Sequence, residues 1–282
     1  MPSKFLEKPT SIAYKAIDFI GYSNIYISLC AASLTALSQK IFLQKISFSF
    51  LSLTFCATFL LYNMQRMYLS FFRTKPYSIT GWQYRQKYLL LFLMLVSMAG
   101  LYPVLQISKQ NMEIYFISFC LGIFYFLPFS NWRAIPVIKS FTVGAVWVLV
   151  CVVAPLEEYD WNTGKIFFCI AQLFFISALC VLFNIRDMEE DSRSKTHSVP
   201  VLFGIVKTRI FNYGVLICYL ILMLFVQVSA GFCIMAALTF FTSCVFTRMA
   251  TLKNHPFYYT FGVDGIILLQ SLLGFLCIRY SL

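Results

Sequence analysis

Long apolar runs alternate with short polar loops along the whole chain. The apolar stretches fall at about 17–38, 46–72, 87–107, 112–129, 137–155, 165–185, 209–229, 231–250 and 257–279. Each approaches the roughly 20 residues that carry a helix across the hydrocarbon layer. The segment 209–250 is too long for one crossing, and Ser229-Ala230-Gly231 in its middle makes a plausible tight hairpin. Strands are not expected, because the ~10-residue alternation of membrane barrels is missing and open sheet edges cannot face lipid. The pattern predicts an all-α polytopic membrane protein with nine transmembrane helices, built as a single domain over residues 1–282.

Composition agrees with that picture. Hydrophobic residues make up 60% of the chain and charged residues only 12%, while soluble domains carry roughly twice that charged fraction. The ten cysteines sit singly within apolar runs, with no CxxC pair, so they read as small hydrophobes rather than disulfides or metal ligands. No secretory leader is expected, since Lys4, Glu7, Lys8 and Lys15 precede the first apolar stretch and no small-residue cleavage site follows it.

The formal charge of +11 would fit a nucleic-acid binder, but its distribution argues against one. With the N-terminus inside, the inner loops are 1–16, 63–88, 130–140, 186–209 and 248–256; they hold seventeen Lys and Arg against five on the other side. That bias fixes a cytoplasmic N-terminus and a C-terminus on the opposite side. The long polar loops 63–88 and 186–209 are both inner, so chemistry is expected at the cytoplasmic face.

The densest charge lies in "FNIRDMEEDSRSKTHSVPVLFG" (183–204). Asp187 and Asp191 are four apart, so on a helix both carboxylates occupy one face. Like charges so placed repel unless a cation sits between them, and oxygen ligands of this kind suit Mg²⁺ together with phosphate oxygens. Arg186, Arg193, Lys195 and His197 surround the pair, as an anionic ligand bridged to metal would require. A solvated helix end with mixed charges explains the spacing equally simply. "YNMQRM" (62–67) weakly echoes "FNIRDM" (183–188), a hint of two related halves.

The segment 184–204 resembles the second aspartate-rich motif of the UbiA family of intramembrane prenyltransferases, with Asp187, Asp191, His197-Ser198, Val199-Pro200 and Gly204 in the matching places. "YFLPFSNWRAIPVIKS" (125–140) is similar to that family's loop after the fourth helix, through Tyr125, Pro128, Arg133, Ile135-Pro136 and Lys139. The resemblance implies a UbiA-like helical bundle acting on an isoprenyl diphosphate. It implies Mg²⁺ on Asp187 and Asp191, and substrate contacts from Asn63, Tyr125, Arg133, Lys139, Lys195 and His197. The prenyl group would pass to a lipophilic acceptor within the bilayer.

One departure stands out. The family's first motif, Asn-Asp-x-x-Asp, should fall at "YNMQRMY" (62–68); Asn63 matches, but no acid lies between Asp18 and Glu113. Three explanations are open. Arg66 contacts the diphosphate in place of one Mg²⁺, as a bidentate guanidinium can; the substrate lacks a diphosphate; or catalysis is lost and lipid binding kept. Arg66 is equally explained as a positive-inside anchor. The reading is therefore a prenyltransferase-like enzyme with Asp187, Asp191 and Arg66 as its catalytic groups. A UbiA-type terpene cyclase and a non-catalytic lipid-binding or transport protein are its rivals. Asp264, at the start of the last apolar stretch, is a costly intramembrane acid that marks function or a buried partner. Asp18 reads as an acid at the first helix N-terminus, and Asn24 as a polar group lining a chamber or bonding a neighbouring helix.

Overall fold

A computed structural model of the chain describes residues 12–72, 82–83, 85–102, 109–126, 135–156, 160–193, 196–226 and 229–280. Among these residues every regular element is helical. We label the helices α1 (Ile12–Tyr22), α2 (Ile25–Leu43), α3 (Phe48–Phe72), α4 (Lys87–Ala99), α5 (Lys109–Phe126), α6 (Pro136–Leu156), α7 (Thr163–Arg193), α8 (Val199–Leu224), α9 (Ala230–Met249) and α10 (258–280).

Six of these ten, α2 and α6 to α10, contain apolar segments long enough to cross a membrane; α4 and Asn111–Tyr125 within α5 are shorter apolar helices. Their outward faces are apolar: Tyr88, Phe92, Leu95 and Met98 on α4, and Val206, Ile210, Ile217 and Ile221 on α8, are all exposed. A surface of that kind is stable against lipid and not against water. The protein is an integral membrane protein.

The first apolar stretch is not one helix. Asn24 adopts the left-handed conformation (φ 68°) and separates α1 from α2, a conformation that asparagine tolerates far better than a β-branched residue. Asp18 accordingly lies in the middle of α1 (Ile12–Tyr22) rather than at a helix N-terminus.

α7 forms the axis of the bundle. Phe168, Ala171, Phe175, Leu179, Leu182 and Ile185 recur at helical spacing and are buried, in one cluster with Leu34 and Leu37 of α2, Tyr219 and Met223 of α8, and Ile266 and Ile267 of α10. The helix runs to Arg193, two turns beyond the apolar stretch, and so carries the acidic cluster out on a continuous rod.

Two helices contain a π-helical turn, at Leu149–Val153 and Tyr258–Val263. The first precedes Pro155, whose nitrogen cannot serve the carbonyl of Cys151. The Ser38 hydroxyl donates to that carbonyl instead, at 2.8 Å. The second π turn lies immediately before Asp264. Such bulges concentrate at functional sites because they re-aim side chains within an otherwise regular helix.

Candidate active site

Sequence-distant helix ends converge at one end of the bundle: the C-terminal parts of α3 and α7 and the N-terminal parts of α6 and α10. α6 is registered against α7 by a ladder of contacts. Gly144 lies against Ser177 and Leu173, so close that a Cβ there would meet Ser177 Oγ at 2.5 Å. One turn nearer the site, Asn184 Nδ2 donates to Ser140 Oγ at 2.9 Å. At the top, Lys139 Nζ donates to Asp191 Oδ2 at 2.8 Å, with side-chain exposures of only 9% and 11%.

Asp187 meets a different cation. Arg186 holds it in a fork, Nε to Oδ1 at 2.7 Å and Nη2 to Oδ2 at 3.0 Å. The same guanidinium lies 4.8 Å from the ring centre of Phe183 and 5.6 Å from that of Tyr259, within the range of a favourable cation–π contact. Both aspartates are thus at the site, but they are unequal. Asp191 is buried under α6, and Asp187 is 37% exposed.

Arg66 faces this group from α3, in electrostatic range of Arg186, Asp187 and Asp264. Its Nη1 is buried without a hydrogen-bond partner among the described residues. A buried donor left unpaired is costly, and at a concave site it points to an acceptor that the protein itself does not supply. One turn earlier on α3, Tyr62 accepts a hydrogen bond from Trp147 Nε1 at 3.1 Å. Tyr62 and Trp147 also wall a partly open apolar cleft between α3, α5 and α6, together with Leu61, Tyr115, Phe119 and Val150. At its far end the Tyr115 hydroxyl bonds Thr54 at 3.0 Å. The charged group and the apolar cleft therefore lie one turn apart along α3, with Tyr62 in the wall of the cleft.

The other predicted residues are spread more widely. Asn63 is buried, and its amide is spent inside the fold: it accepts from Asn24 Nδ2 at 2.9 Å and donates to the carbonyls of Ser23 at 3.0 Å and Phe59 at 2.9 Å. It pins the α1–α2 break to α3. Asn63→Ala is expected to lower stability by about 1–3 kcal/mol, read as a lower melting temperature in detergent. His197 is exposed in the extended segment between α7 and α8, and Tyr125 is half-buried at the C-terminal end of α5. Arg133 and Lys195 lie outside the described residues. Tyr62, Trp147 and Tyr259 escaped the sequence reading, because an aromatic at helical spacing in an apolar run carries no signal of its own.

As metal ligands, Asp187 and Asp191 are a limited set. No group of three His, Cys, Asp or Glu side chains comes together among the described residues. Two carboxylates one turn apart fit a single Mg²⁺ whose shell is completed by phosphate oxygens and water. They do not fit a second ion, since the facing helix presents Arg66 instead of acids.

Comparison with known proteins agrees with this geometry. Residues 83–258, well over half of the chain, match the model of the UbiA prenyltransferase family. Among solved structures, the apo form of a UbiA homologue from Aeropyrum pernix K1 is similar at 14% identity and a TM-score of 0.63, covering 92% of this chain and 98% of that one. A UbiA homologue from Archaeoglobus fulgidus bound to GPP and Mg²⁺ is similar at 15% identity and a TM-score of 0.63, over 93% and 99% of the two chains. The same homologue bound to DMAPP and Mg²⁺ gives 14% identity, a TM-score of 0.63 and the same coverage. No curated protein sequence matches the chain. These likenesses establish the fold, and the family match establishes the lineage: the chain belongs to the UbiA prenyltransferase family.

Proposed function

We propose that the chain is an intramembrane enzyme that takes an isoprenyl diphosphate and transfers its prenyl group to a lipophilic acceptor. The bundle would make nine crossings (α2 to α10), with the N-terminus and the charged site at the cytoplasmic face and the C-terminus opposite. The observation that carries the reading is the unpaired, buried Nη1 of Arg66, one helical turn along α3 from Tyr62 in the wall of the apolar cleft. That arrangement suits a molecule with an anionic head and an apolar tail. The structures of a UbiA homologue bound to GPP or DMAPP with Mg²⁺ support the same substrate class.

Within this reading, Asp187 and Asp191 would hold one Mg²⁺, which supplies Lewis-acid stabilisation of the departing diphosphate. Arg66 takes the head from the α3 side, where its guanidinium can grip two phosphate oxygens. Lys139, besides orienting Asp191, adds fixed positive charge where negative charge grows on the leaving group. The apolar walls of the cleft, set within the bilayer, would disfavour water near the reacting carbon, so that the acceptor rather than hydroxide captures it. Arg133, Lys195, His197 and Tyr125 complete the proposed substrate contacts, while Asn63 contributes only through its placement of α3.

A second reading is a carrier of phosphorylated lipid with no turnover. It is favoured by the ion pairs Lys139–Asp191 and Arg186–Asp187, which balance the site's acids within the chain itself. Purified protein in detergent, given geranyl diphosphate, Mg²⁺ and a lipophilic acceptor, is expected to release pyrophosphate, and to stop on omission of the acceptor or on addition of excess EDTA. A terpene cyclase would do so without an added acceptor. Consumption of no prenyl diphosphate with any divalent metal, while binding persists, would leave the carrier reading.

A further inference from the structure

Tyr62 stands where the charged group gives way to the apolar cleft, and none of the roles assigned above accounts for its hydroxyl. Arg66, Tyr62 and Thr58 recur at intervals of four on α3, so they share one face of the helix. That face carries the Arg66 guanidinium at one end and runs into the cleft that Tyr62 and Thr58 line. The Tyr62 oxygen accepts a hydrogen bond from Trp147 Nε1 at 3.1 Å, and Trp147 is only 6% exposed. A phenol that accepts one hydrogen bond keeps its own proton to donate. Among the described residues nothing accepts that proton, just as nothing accepts from Arg66 Nη1. Two donors one turn apart on one face, each lacking an acceptor, call for the same oxygen-rich ligand.

The geometry points to Tyr62 as a catalytic residue whose hydroxyl donates to the bridging oxygen of the prenyl diphosphate as the C–O bond breaks. This rests on the enzyme reading and adds to it a group at the reacting bond. The bond to be broken joins the anionic head to the apolar tail. With the head on Arg66 and the tail in the cleft, that bond falls one turn along α3, about 5.4 Å, at Tyr62. On ionisation the electron pair of the C–O bond passes to the bridging oxygen, and the carbon carries the positive charge until the acceptor takes it. Tyr62 stays protonated: its hydrogen bond tightens on the new oxyanion and no proton is transferred. A donor fixed beforehand where charge grows needs no reorganisation when the bond breaks. Trp147 is the positioning residue. Its N–H holds the phenol oxygen in place and, by polarising it, makes the phenol a stronger donor.

The test sets turnover against binding in full-length protein in detergent. Turnover is pyrophosphate release from geranyl diphosphate with Mg²⁺, the lipid extract of the native membrane serving as acceptor source. Binding is the Kd for geranyl diphosphate with Mg²⁺ and no acceptor. Tyr62→Phe keeps the ring and is expected to lower kcat roughly a hundredfold, the scale for losing one donor to an oxyanion. Its Kd is expected to stay within about threefold of wild type, because the contact strengthens only as the bond breaks. Trp147→Phe is expected to lower kcat by a smaller factor, again without loss of affinity. The double variant is expected to be no slower than Tyr62→Phe alone, because the indole acts only through the phenol. If Trp147 served packing alone, the two losses would multiply.

A kcat for Tyr62→Phe within about threefold of wild type would overturn the assignment, as would a loss of affinity as large as the loss of kcat or losses that multiply in the double variant. If Tyr62→Phe does not fold because the Trp147 N–H is left unpaired, the double variant removes both partners and must fold. Near-wild-type turnover by that variant, or its failure to fold, also overturns the assignment. Failure of the enzyme reading looks different: wild type itself binds geranyl diphosphate and releases no pyrophosphate, and the assignment then falls with it.

Discussion

Asp191→Asn is expected to abolish pyrophosphate release and also to destabilise the fold by about 3–5 kcal/mol, the cost of breaking a buried pair by removing one partner. Lys139 and Asp191 are 9% and 11% exposed in their side chains, so the lysine left behind either stays buried without a counter-charge or pulls the start of α6 toward water. Asp187→Asn should behave differently. Its carboxylate is 37% exposed and its partner Arg186 is adjacent in sequence, so its stability should stay within about 1 kcal/mol of wild type, while turnover falls as far as in Asp191→Asn. Melting temperature and pyrophosphate release, measured on the same preparations, separate the two effects. The double variant Lys139→Met/Asp191→Leu carries the distinction further. Replacing a buried pair with apolar side chains of similar volume is often neutral, so the melt should recover while turnover does not. A melt for Asp191→Asn equal to that of wild type would show that the 2.8 Å pair does not hold α6 to α7.

The inequality of these two aspartates marks where the sequence stops being informative. That they share a face follows from their four-residue spacing. That one is buried and the other half-exposed depends on Lys139, 52 residues away, which arrives only when α6 packs on α7. Local reading handled α7 well for the same reason: an apolar run followed by charged residues without Gly or Pro simply continues as helix to Arg193. It handled the first apolar stretch badly. Periodicity is blind to a single asparagine, and the break at Asn24 is stabilised by Asn63 from α3, a contact across 39 residues. The π turns are equally silent. Pro155 hints at a disturbed helix, but the hydroxyl that makes the disturbance tolerable comes from Ser38 on α2. The position of Arg66 was legible only as a gap in a family pattern. Its burial, its unpaired Nη1 and its proximity to Asp264 come from three helices meeting, and no single segment encodes that.

Gly144→Val is expected to be among the most damaging substitutions outside the charged cluster. At this glycine α6 packs directly against α7. Even one added carbon would lie 2.5 Å from Ser177 Oγ, 3.0 Å from the backbone carbonyl of Leu173 and 3.2 Å from Leu173 Cδ1. A carbonyl within α7 cannot swing aside as a flexible side chain can, so the helices must separate. Small residues at such contacts are what let membrane helices approach closely enough for dispersion and polar contacts to hold them. Separation would stretch the Asn184–Ser140 bond and the Lys139–Asp191 pair, one and two steps along the same seam. We expect a loss of roughly 3 kcal/mol or more, at the upper end of overpacking costs, with turnover falling even in the fraction that folds because Asp191 loses its orientation. Gly144→Ala should fall between Val and wild type. The control is Gly214→Ala on α8, where an added Cβ meets nothing within 4 Å; there the gain in helix propensity should leave stability unchanged or raised by up to about 1 kcal/mol. If Gly144→Val and Gly214→Ala melt together, the α6–α7 seam does not set the geometry of the site, and the ion pair at its end must be held from elsewhere.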